Sequence, residues 1–188
     1  MSFTTVELDA ATWDVWAELV ERNNGVFGGC WCTGFHPEGH VSGLDRRAVK
    51  HERVLRGTTH SSVVLDDEGV AQGWCQWGSP EELPKIKHKR VYLADPPSVP
   101  DFRITCFYVD TKHRGQGVAR AALGGALEQI ARAGGGLVEA IPEVTTGRQA
   151  HGRFLYTATV ELFESFGFTR QRQVGKHAWI VTKVVAPA

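Results

Sequence analysis

Two glycines stand at a predicted strand-to-helix turn, in the run Arg114-Gly115-Gln116-Gly117-Val118-Ala119. Glycines at such a turn let successive backbone N–H groups point into one concavity, and the helix start adds unsatisfied donors and a positive dipole end. A pyrophosphate would be held there, with Arg114 adding a charge-assisted hydrogen bond. The alternative is a tight turn that only packs the helix on the sheet. The chain has neither the G-x-x-x-x-G-K-[ST] motif of P-loop NTPases nor an early G-x-G-x-x-G motif.

A second chemical candidate is Glu139, inside the apolar run Leu137 to Ile141. Burial disfavours the charged form of a carboxyl group and raises its pKa towards the range of a useful general base. Glu139 is therefore the first candidate base, with His177 and Tyr108 as weaker ones. The alternatives are an exposed or edge-strand carboxylate and one paired with an arginine.

The segment from Cys30 to His40 holds two thiols and two imidazoles within eleven residues. These are zinc ligand types, but C-x-C followed closely by H-x3-H is a poor zinc spacing, so no metal is expected. Redox use of the C-x-C pair is an alternative to metal binding. An interior loop whose Trp and Cys side chains simply pack is a further alternative.

The composition is that of an ordinary globular chain. Among 188 residues, 21 Lys+Arg balance 21 Asp+Glu, which argues against nucleic acid or an anionic membrane as a partner. No apolar stretch is long enough to span a bilayer, and the N-terminus lacks the pattern of a signal peptide. Four scattered cysteines are too few for a disulfide framework. These features predict one cytoplasmic domain over residues 1–188.

Hydrophobic periodicity and turn residues predict the element order β-α-α-β-β-β-α-β-α-β-β. One helix is predicted over about 117–133 and a later one from about Phe154 to Phe166. Residues 79–101 are rich in proline and are predicted to form an inserted loop with one short helix. The basic run Lys85 to Arg90 within this insertion is interpreted as a solvated face.

This element order and two motifs resemble the GNAT family of acetyl-CoA-dependent N-acetyltransferases. Arg114-x-x-Gly117-x-Ala119, after a strand that ends Phe107-Tyr108-Val109-Asp110, is similar to that family's R/Q-x-x-G-x-G/A coenzyme loop. The run Leu162 to Phe168 resembles its late helix-to-strand signature ending in Gly-Phe. The resemblance covers essentially the whole chain. It implies an α/β (α+β) single-domain fold with a mixed, mostly antiparallel sheet of about seven strands and about four helices.

The resemblance also implies the reaction: a primary amine of a small molecule or peptide attacks the acetyl-CoA thioester directly in a ternary complex. It places the backbone of Phe107 to Val109 along the pantetheine arm, and the Cys30–His40 loop at the acceptor. The implied acceptor-pocket residues are Cys30, Trp31, Cys32 and Phe35. The implied coenzyme residues are Phe107, Tyr108, Val109, Arg114, Gly115, Gln116, Gly117, Val118, Ala119, Arg120, Thr157 and Phe163.

The chain departs from the family at the general acid. Many relatives carry Tyr where this chain has Phe163, and a phenyl ring cannot donate a proton. Tyr156, Tyr108 or Ser165 would substitute, or the thiolate would leave unassisted or be protonated by water. Thr157 stands where relatives often carry Asn and would still bond the coenzyme.

Two other functions stay open at this point. A non-catalytic acyl-CoA-binding or sensor module on the same fold is the first, because of Phe163. A zinc-dependent or redox protein built on the Cys30–His40 segment is the second. The exposed final strand and the aromatic loops would suit a homodimer.

Overall fold

The computed structural model describes residues 2–147 and 155–188, which form one domain with a seven-stranded sheet and five helices. The strands are β1 (Thr4–Glu7), β2 (His60–Leu65), β3 (Ala71–Gly78), β4 (Phe102–Val109), β5 (Gly136–Ala140), β6 (Thr169–Gln173) and β7 (Trp179–Val185). The helices are α1 (Trp13–Arg22), α2 (Arg46–Leu55), α3 (Lys89–Ala94), α4 (Val118–Arg132) and α5 (Val160–Glu164). Within the described ranges, none of the helices has the length and apolar character needed to cross a membrane.

The strand order is β1-β2-β3-β4-β5-β7-β6, and the predicted mixed sheet of about seven strands is confirmed. β4 and β5 run parallel, and the other described neighbours run antiparallel. The parallel register extends from Phe102 opposite Val138 to Ile104 opposite Ala140. β5 ends there, whereas β4 continues to Val109. The second half of β4 is therefore open on one side while β3 pairs with the other.

Alternating side chains of the central strands divide the core into two layers. Cys75 of β3 and Phe107 of β4 pack beneath α4. Their neighbours in sequence, Trp74 and Cys106, point to the opposite face and pack with α1. The residues of α4 that pack on the sheet recur at helical spacing: Val118, Ala122, Leu123, Ala126 and Ile130.

The helix predicted from about Phe154 to Phe166 is wrong in extent. α5 begins only at Val160, where the Thr159 hydroxyl accepts a hydrogen bond from the Leu162 amide at 3.2 Å as the N-cap. Ala158 has a φ of +58°, which a continuous helix does not allow. Residue 154 lies outside the described residues. Residues 155–159 are not helical, and they pass beside the open half of β4.

The proline-rich insertion packs against the sheet next to β5. It contains α3, whose Tyr92 is buried with Ile141 and Ile180. Lys87 is mostly buried and forms an ion pair with Glu143, Nζ to Oε1 2.6 Å. The expectation of a fully solvated basic face is therefore wrong at Lys87.

Candidate functional site

A groove of about 390 Å³ runs along the open half of β4. Its walls come from β4, from the glycine loop with the first turn of α4, and from the chain around the start of α5. The groove is lined by Phe27, Phe107, Tyr108, Val109, His113, Arg114, Gly115, Gly117, Val118, Ala119, Arg120, Leu155, Ala158, Thr159 and Leu162. Of the residues that sequence analysis assigned to the coenzyme, all but Gln116, Thr157 and Phe163 are in this lining.

The glycine loop is shaped by backbone conformation. Gly115 and Gly117 have φ angles of +76° and +93°, and a Cβ built at either position meets no atom within 4 Å. Glycine therefore allows the left-handed backbone conformation at both positions, and it leaves room for a ligand to approach the loop. The first-turn amides of α4 have no partner within the helix, and no side chain caps this end. With Arg114 and Arg120 beside them, these donors form a site that suits an anion.

Asp110 anchors the start of this loop, a role that sequence analysis missed. Its carboxylate accepts hydrogen bonds from the Lys112 amide (3.0 Å), from Arg22 Nε (3.2 Å) and from Asn23 Nδ2 (3.3 Å). Burial alone would raise the pKa of Asp110, but these hydrogen bonds and the Arg22 charge outweigh it and lower that pKa. The loop is thereby tied to the end of α1 across the sheet. An acidic residue directly after a buried strand was the available signal.

The open side of β4 is partly occupied by the chain itself. The Phe107 amide donates to the Tyr156 carbonyl at 2.6 Å, so this amide points away from β3. The Asp110 amide donates instead to Gln72 beside it in the sheet, at 2.9 Å. Because amides alternate sides along a strand, Val109 N–H faces the groove together with Phe107 N–H. The Phe107 amide, which was expected to lie along the pantetheine arm, is therefore already bonded to Tyr156 in this conformation. The Val109 amide faces the groove, as expected.

A second cavity, of about 400 Å³, adjoins the groove at Phe27, which lines both. It is lined by Phe27, Cys30, Cys32, Gly34, Phe35, Gln76, Cys106 and Tyr156. The ring centroids of Phe27 and Phe35 lie 6.0 and 6.2 Å from that of Tyr156. Three thiols and three aromatic rings give a mostly apolar wall. Cys30, Cys32 and Phe35 thus lie together, as sequence analysis expected of an acceptor pocket.

Trp31 is the exception, and its expected place in the pocket is wrong. Its side chain is not part of the cavity lining. Its ring stacks on Trp13 with 6.2 Å between centroids, and the Arg47 guanidinium lies 5.7 Å from the Trp31 ring centre. Trp31 therefore packs with α1 and α2.

Tyr156 lies between the two spaces. Its carbonyl holds the Phe107 amide in the groove, whereas its ring lines the second cavity. The Lys87 ammonium is 5.0 Å from the centre of that ring. Burial, followed by the charges of Cys106 and Glu143, raises the pKa of the Tyr156 hydroxyl. Tyr156 therefore keeps its proton at neutral pH.

Glu139 lines neither the groove nor the second cavity. Its carboxylate is 2% exposed, accepts the Tyr92 hydroxyl at 2.9 Å, and pairs with Arg103 Nε at 3.4 Å. Burial raises its pKa, as expected, and the bonds from Tyr92 and Arg103 act in the opposite direction. It faces a small separate cavity that Arg103 and Lys87 also line. The structure thus corrects the first choice of base and favours the arginine-paired alternative.

Three assigned coenzyme residues make other contacts. Phe163 is fully buried in the core, with ring centroids 5.9 Å from Phe107 and 4.9 Å from Phe168, so its side chain cannot reach a ligand. The Thr157 hydroxyl lies 3.2 Å from Lys87 Nζ and lines the small cavity near Glu139. Gln116 is exposed, and its side chain donates to the Lys112 carbonyl at 3.0 Å. The side chains of Phe163, Thr157 and Gln116 are therefore not in the groove where coenzyme contacts were expected, although the Gln116 backbone remains part of the loop.

The two histidines of the Cys30–His40 segment contact residues outside the segment and not its two thiols. His36 is fully buried, and its Nδ1 lies 2.9 Å from the Glu82 carbonyl. Burial, with the Lys50 and Arg53 charges, lowers the pKa of His36 to about 2, so the ring is neutral. His40 Nδ1 lies 2.8 Å from Lys85 Nζ. In residues 2–147 and 155–188, no three His, Cys, Asp or Glu side chains are grouped as a metal site.

Sequence analysis missed several lining residues: Phe27, Gln76, Cys106, His113, Leu155 and Leu162. Cys106 had a usable signal, since it alternates with Phe107 and must point to the other face of the sheet. No sequence signal indicated Phe27, because its φ of +44° belongs to a run of left-handed residues that the sequence does not reveal.

A sequence profile of the Acetyltransferase (GNAT) family matches residues 16–168 of the chain. No curated protein matches it.

Solved structures share the fold at low identity. The structure of histone acetyltransferase HPA2 and related acetyltransferase from Corynebacterium glutamicum is 18% identical, with a TM-score of 0.56, and the match covers 100% of this chain and 98% of that one. A phosphinothricin acetyltransferase from Sinorhizobium meliloti in complex with AcCoA is 14% identical, with a TM-score of 0.55 over 99% of this chain and 90% of that one. A GNAT family N-acetyltransferase from Escherichia coli in complex with CoA is 16% identical, with a TM-score of 0.52 over 98% and 82%.

Proposed function

The chain belongs to the GNAT family of acetyltransferases, and from this premise we propose that it moves the acetyl group of acetyl-CoA to a primary amine. The observation that carries the proposal is the position of the glycine loop. Arg114–Gly117 and the start of α4 flank the open half of β4, so that an anion site and an open strand edge form one groove. A ligand with phosphates at one end and an amide-bearing arm at the other fits both parts.

In this proposal the coenzyme pyrophosphate accepts hydrogen bonds from the loop and from the first turn of α4, with Arg114 and Arg120 supplying charge. The pantetheine arm pairs with the Val109 amide, which faces the groove. Pairing with Phe107 as well requires the Tyr156 carbonyl to leave that amide. The AcCoA and CoA complexes of the Sinorhizobium meliloti and Escherichia coli structures support this choice of ligand.

The second cavity is proposed as the acceptor site, because it adjoins the groove at Phe27. Its volume suits a small molecule, and its aromatic and sulfur-lined walls suit an apolar body. Among the residues that the structure describes, none with a carboxylate lines this cavity. We therefore expect a small primary amine with an apolar group, whose ammonium proton passes to water.

The chemistry needs one further proton transfer. The amine nitrogen attacks the thioester carbonyl, the C–N bond forms, and the C–S bond breaks when the tetrahedral intermediate collapses. A β4 amide that faces the groove would stabilise the oxyanion, and Tyr156 would protonate the departing thiolate. Its place between the groove and the cavity supports Tyr156 in this role, and its hydroxyl carries a proton at neutral pH. Tyr108, which also lines the groove, is the second choice of proton donor. It ranks second because its ring is packed on Trp74, with 5.0 Å between centroids.

Turnover separates this enzyme from a non-catalytic acyl-CoA-binding module. The purified protein is incubated with acetyl-CoA and a panel of primary amines that differ in apolar content, and free CoA thiol is followed over time. Thiol release in large molar excess over protein, dependent on the amine, supports the transferase. Tight acetyl-CoA binding with release limited to one equivalent or less would favour the module.

A further inference from the structure

Beneath the second cavity lies a buried lysine without a carboxylate partner. Lys50 of α2 is fully buried, and its ammonium donates to the Thr59 hydroxyl at 2.7 Å and to the Cys32 carbonyl at 3.4 Å. It also lies 5.6 Å from the centre of the Trp16 ring. Among the described residues no carboxylate forms an ion pair with it, and the acidic groups that act on it are the thiols of Cys32, Cys106 and Cys30. Burial lowers the pKa of Lys50, and negative charge on these thiols would act in the opposite direction and stabilise the ammonium.

The Cys32 sulfur is the thiol best placed to carry that charge. It accepts a hydrogen bond from the Trp74 indole N–H at 3.3 Å, and an indole nitrogen can only donate. Cys106 packs in the same core cluster as Cys32, and it stands opposite Gln76 in the sheet, whose Nε2 donates to the Cys32 carbonyl at 2.9 Å. Burial alone would raise the pKa of Cys32, but Cys106, Lys50 and Trp74 together lower it to about 7. The remaining thiol of the cavity, Cys30, has a raised pKa, first because of burial and then because of the Cys32 charge.

Both residues of this pair line one cavity. Cys32 and Cys106 line the second cavity, which has room for a small reagent. Cys75 provides the contrast within the same chain, because it is fully buried in the opposite core layer and lines no cavity found among the described residues. The burial of Cys75 holds its pKa well above the usual value.

We propose that Cys32 and Cys106 form a peroxide-reactive dithiol in the wall of the second cavity, with Cys32 as the attacking thiolate and Cys106 as the resolving thiol. The inference does not depend on acetyl transfer. It differs from redox use of the Cys30–Cys32 pair, because the partner thiol of Cys32 is that of Cys106 on β4, which packs in the same core cluster.

The reaction balances with hydrogen peroxide as the oxidant. The Cys32 thiolate attacks one peroxide oxygen, the O–O bond breaks, and the released hydroxide takes a proton to leave as water, which gives a sulfenic acid. The Cys106 sulfur then attacks the Cys32 sulfur, its proton goes to the departing hydroxyl, and a second water leaves. The two thiols lose two electrons, the peroxide gains them, and the sulfurs close to the disulfide bond length of about 2.0 Å.

The reactivity advantage of Cys32 can be worked out. At pH 7 a thiol with a pKa of about 7 is roughly half ionised, against about 1% for a thiol at 9.0. Lower basicity makes the thiolate less nucleophilic by about eightfold over two pKa units. At equal access to the reagent, Cys32 should therefore react with peroxide or iodoacetamide roughly sixfold faster at pH 7 than a thiol with a pKa of 9.0, and this advantage should disappear near pH 8.

The test treats the folded, reduced protein with hydrogen peroxide, quenches it, and maps the sulfurs by peptide mass spectrometry. We expect a Cys32–Cys106 disulfide in the wild type, dimedone-trapped sulfenic acid at Cys32 in Cys106→Ser, and neither product in Cys32→Ser. Cys75→Ser is the matched control and should behave like the wild type.

Three results would overturn the proposal: a disulfide that joins Cys30 to Cys32, oxidation of Cys106 that persists in Cys32→Ser, or oxidation of Cys75 at the rate of Cys32. Lys50→Met should slow the alkylation of Cys32 by iodoacetamide, with circular dichroism as the check on its folding. The cysteine variants decide the matter even where Lys50→Met fails to fold.

Discussion

Phe163→Tyr tests whether a general acid belongs at the end of α5. The added hydroxyl would stand in an apolar cluster between Phe107 and Phe168, where Phe163 is fully buried. An unpaired hydroxyl in such a place costs about 1–3 kcal/mol on the scale of protein mutations. For a chain of this length, each kcal/mol shifts the melting temperature by about 2–4 °C, so the expected loss is about 2–12 °C.

The assay is urea or thermal unfolding of wild type and variant, together with turnover per folded molecule. Phe166→Tyr is the matched control, because Phe166 stands just after the same helix but is only partly buried, and its change should stay within about 0.5 kcal/mol. Turnover of folded Phe163→Tyr should equal that of the wild type. A clear rise in turnover, or no loss of stability, would refute the placement of Phe163 in the core and return the acid to this position.

Three further changes have defined expectations. Tyr156→Phe should lower kcat about 10²–10⁴-fold with acetyl-CoA affinity unchanged, as measured by thiol release and calorimetry; an unchanged kcat would remove Tyr156 as the acid. Glu139→Gln should leave kcat within about twofold. Because the folded-state pKa of Glu139 is raised, its stabilising contribution is complete below about pH 4 and is lost as the pH rises. The unfolding free energy of the variant should therefore gain on that of the wild type as the pH rises through the raised pKa. The opposite trend would show that the bonds from Tyr92 and Arg103 outweigh burial and would contradict the raised pKa. Asp110→Asn should cost about 1.5–3 kcal/mol at pH 7. The pKa of Asp110 is lowered, so this difference should shrink as the pH falls below about 4, and a pH-independent difference in urea unfolding would count against its anchoring role.

Sequence was sufficient for features that depend on local patterns. The glycine loop was visible because Gly115 and Gly117 follow an apolar run and precede a helical period. The mixed, mostly antiparallel sheet of about seven strands could be inferred from the resemblance to a known family. The burial of Glu139 was visible from the apolar residues on both sides of it.

Sequence was insufficient where a side chain's direction depends on distant contacts. Trp31 is outside the pocket because its ring packs on Trp13 of α1 and beside Arg47 of α2, and no local pattern reveals those contacts. Glu139 meets Arg103 only through the parallel register of β5 with β4. Likewise, Cys32 and Cys106 come from a loop and a strand far apart in the chain, so only the tertiary fold brings them into one core cluster.

Calorimetric titration with acetyl-CoA tests the central claim most directly, namely that the groove beside the glycine loop binds the coenzyme. The wild type should bind one equivalent, and Gly117→Trp should abolish binding by filling the space above the loop. Gly69→Trp is the matched control, since Gly69 has a φ of +79° and open surroundings but lies in the β2–β3 turn. Wild-type binding that survives in Gly69→Trp and disappears in Gly117→Trp is the predicted result. Unchanged affinity in folded Gly117→Trp, or no binding to the wild type, would contradict it.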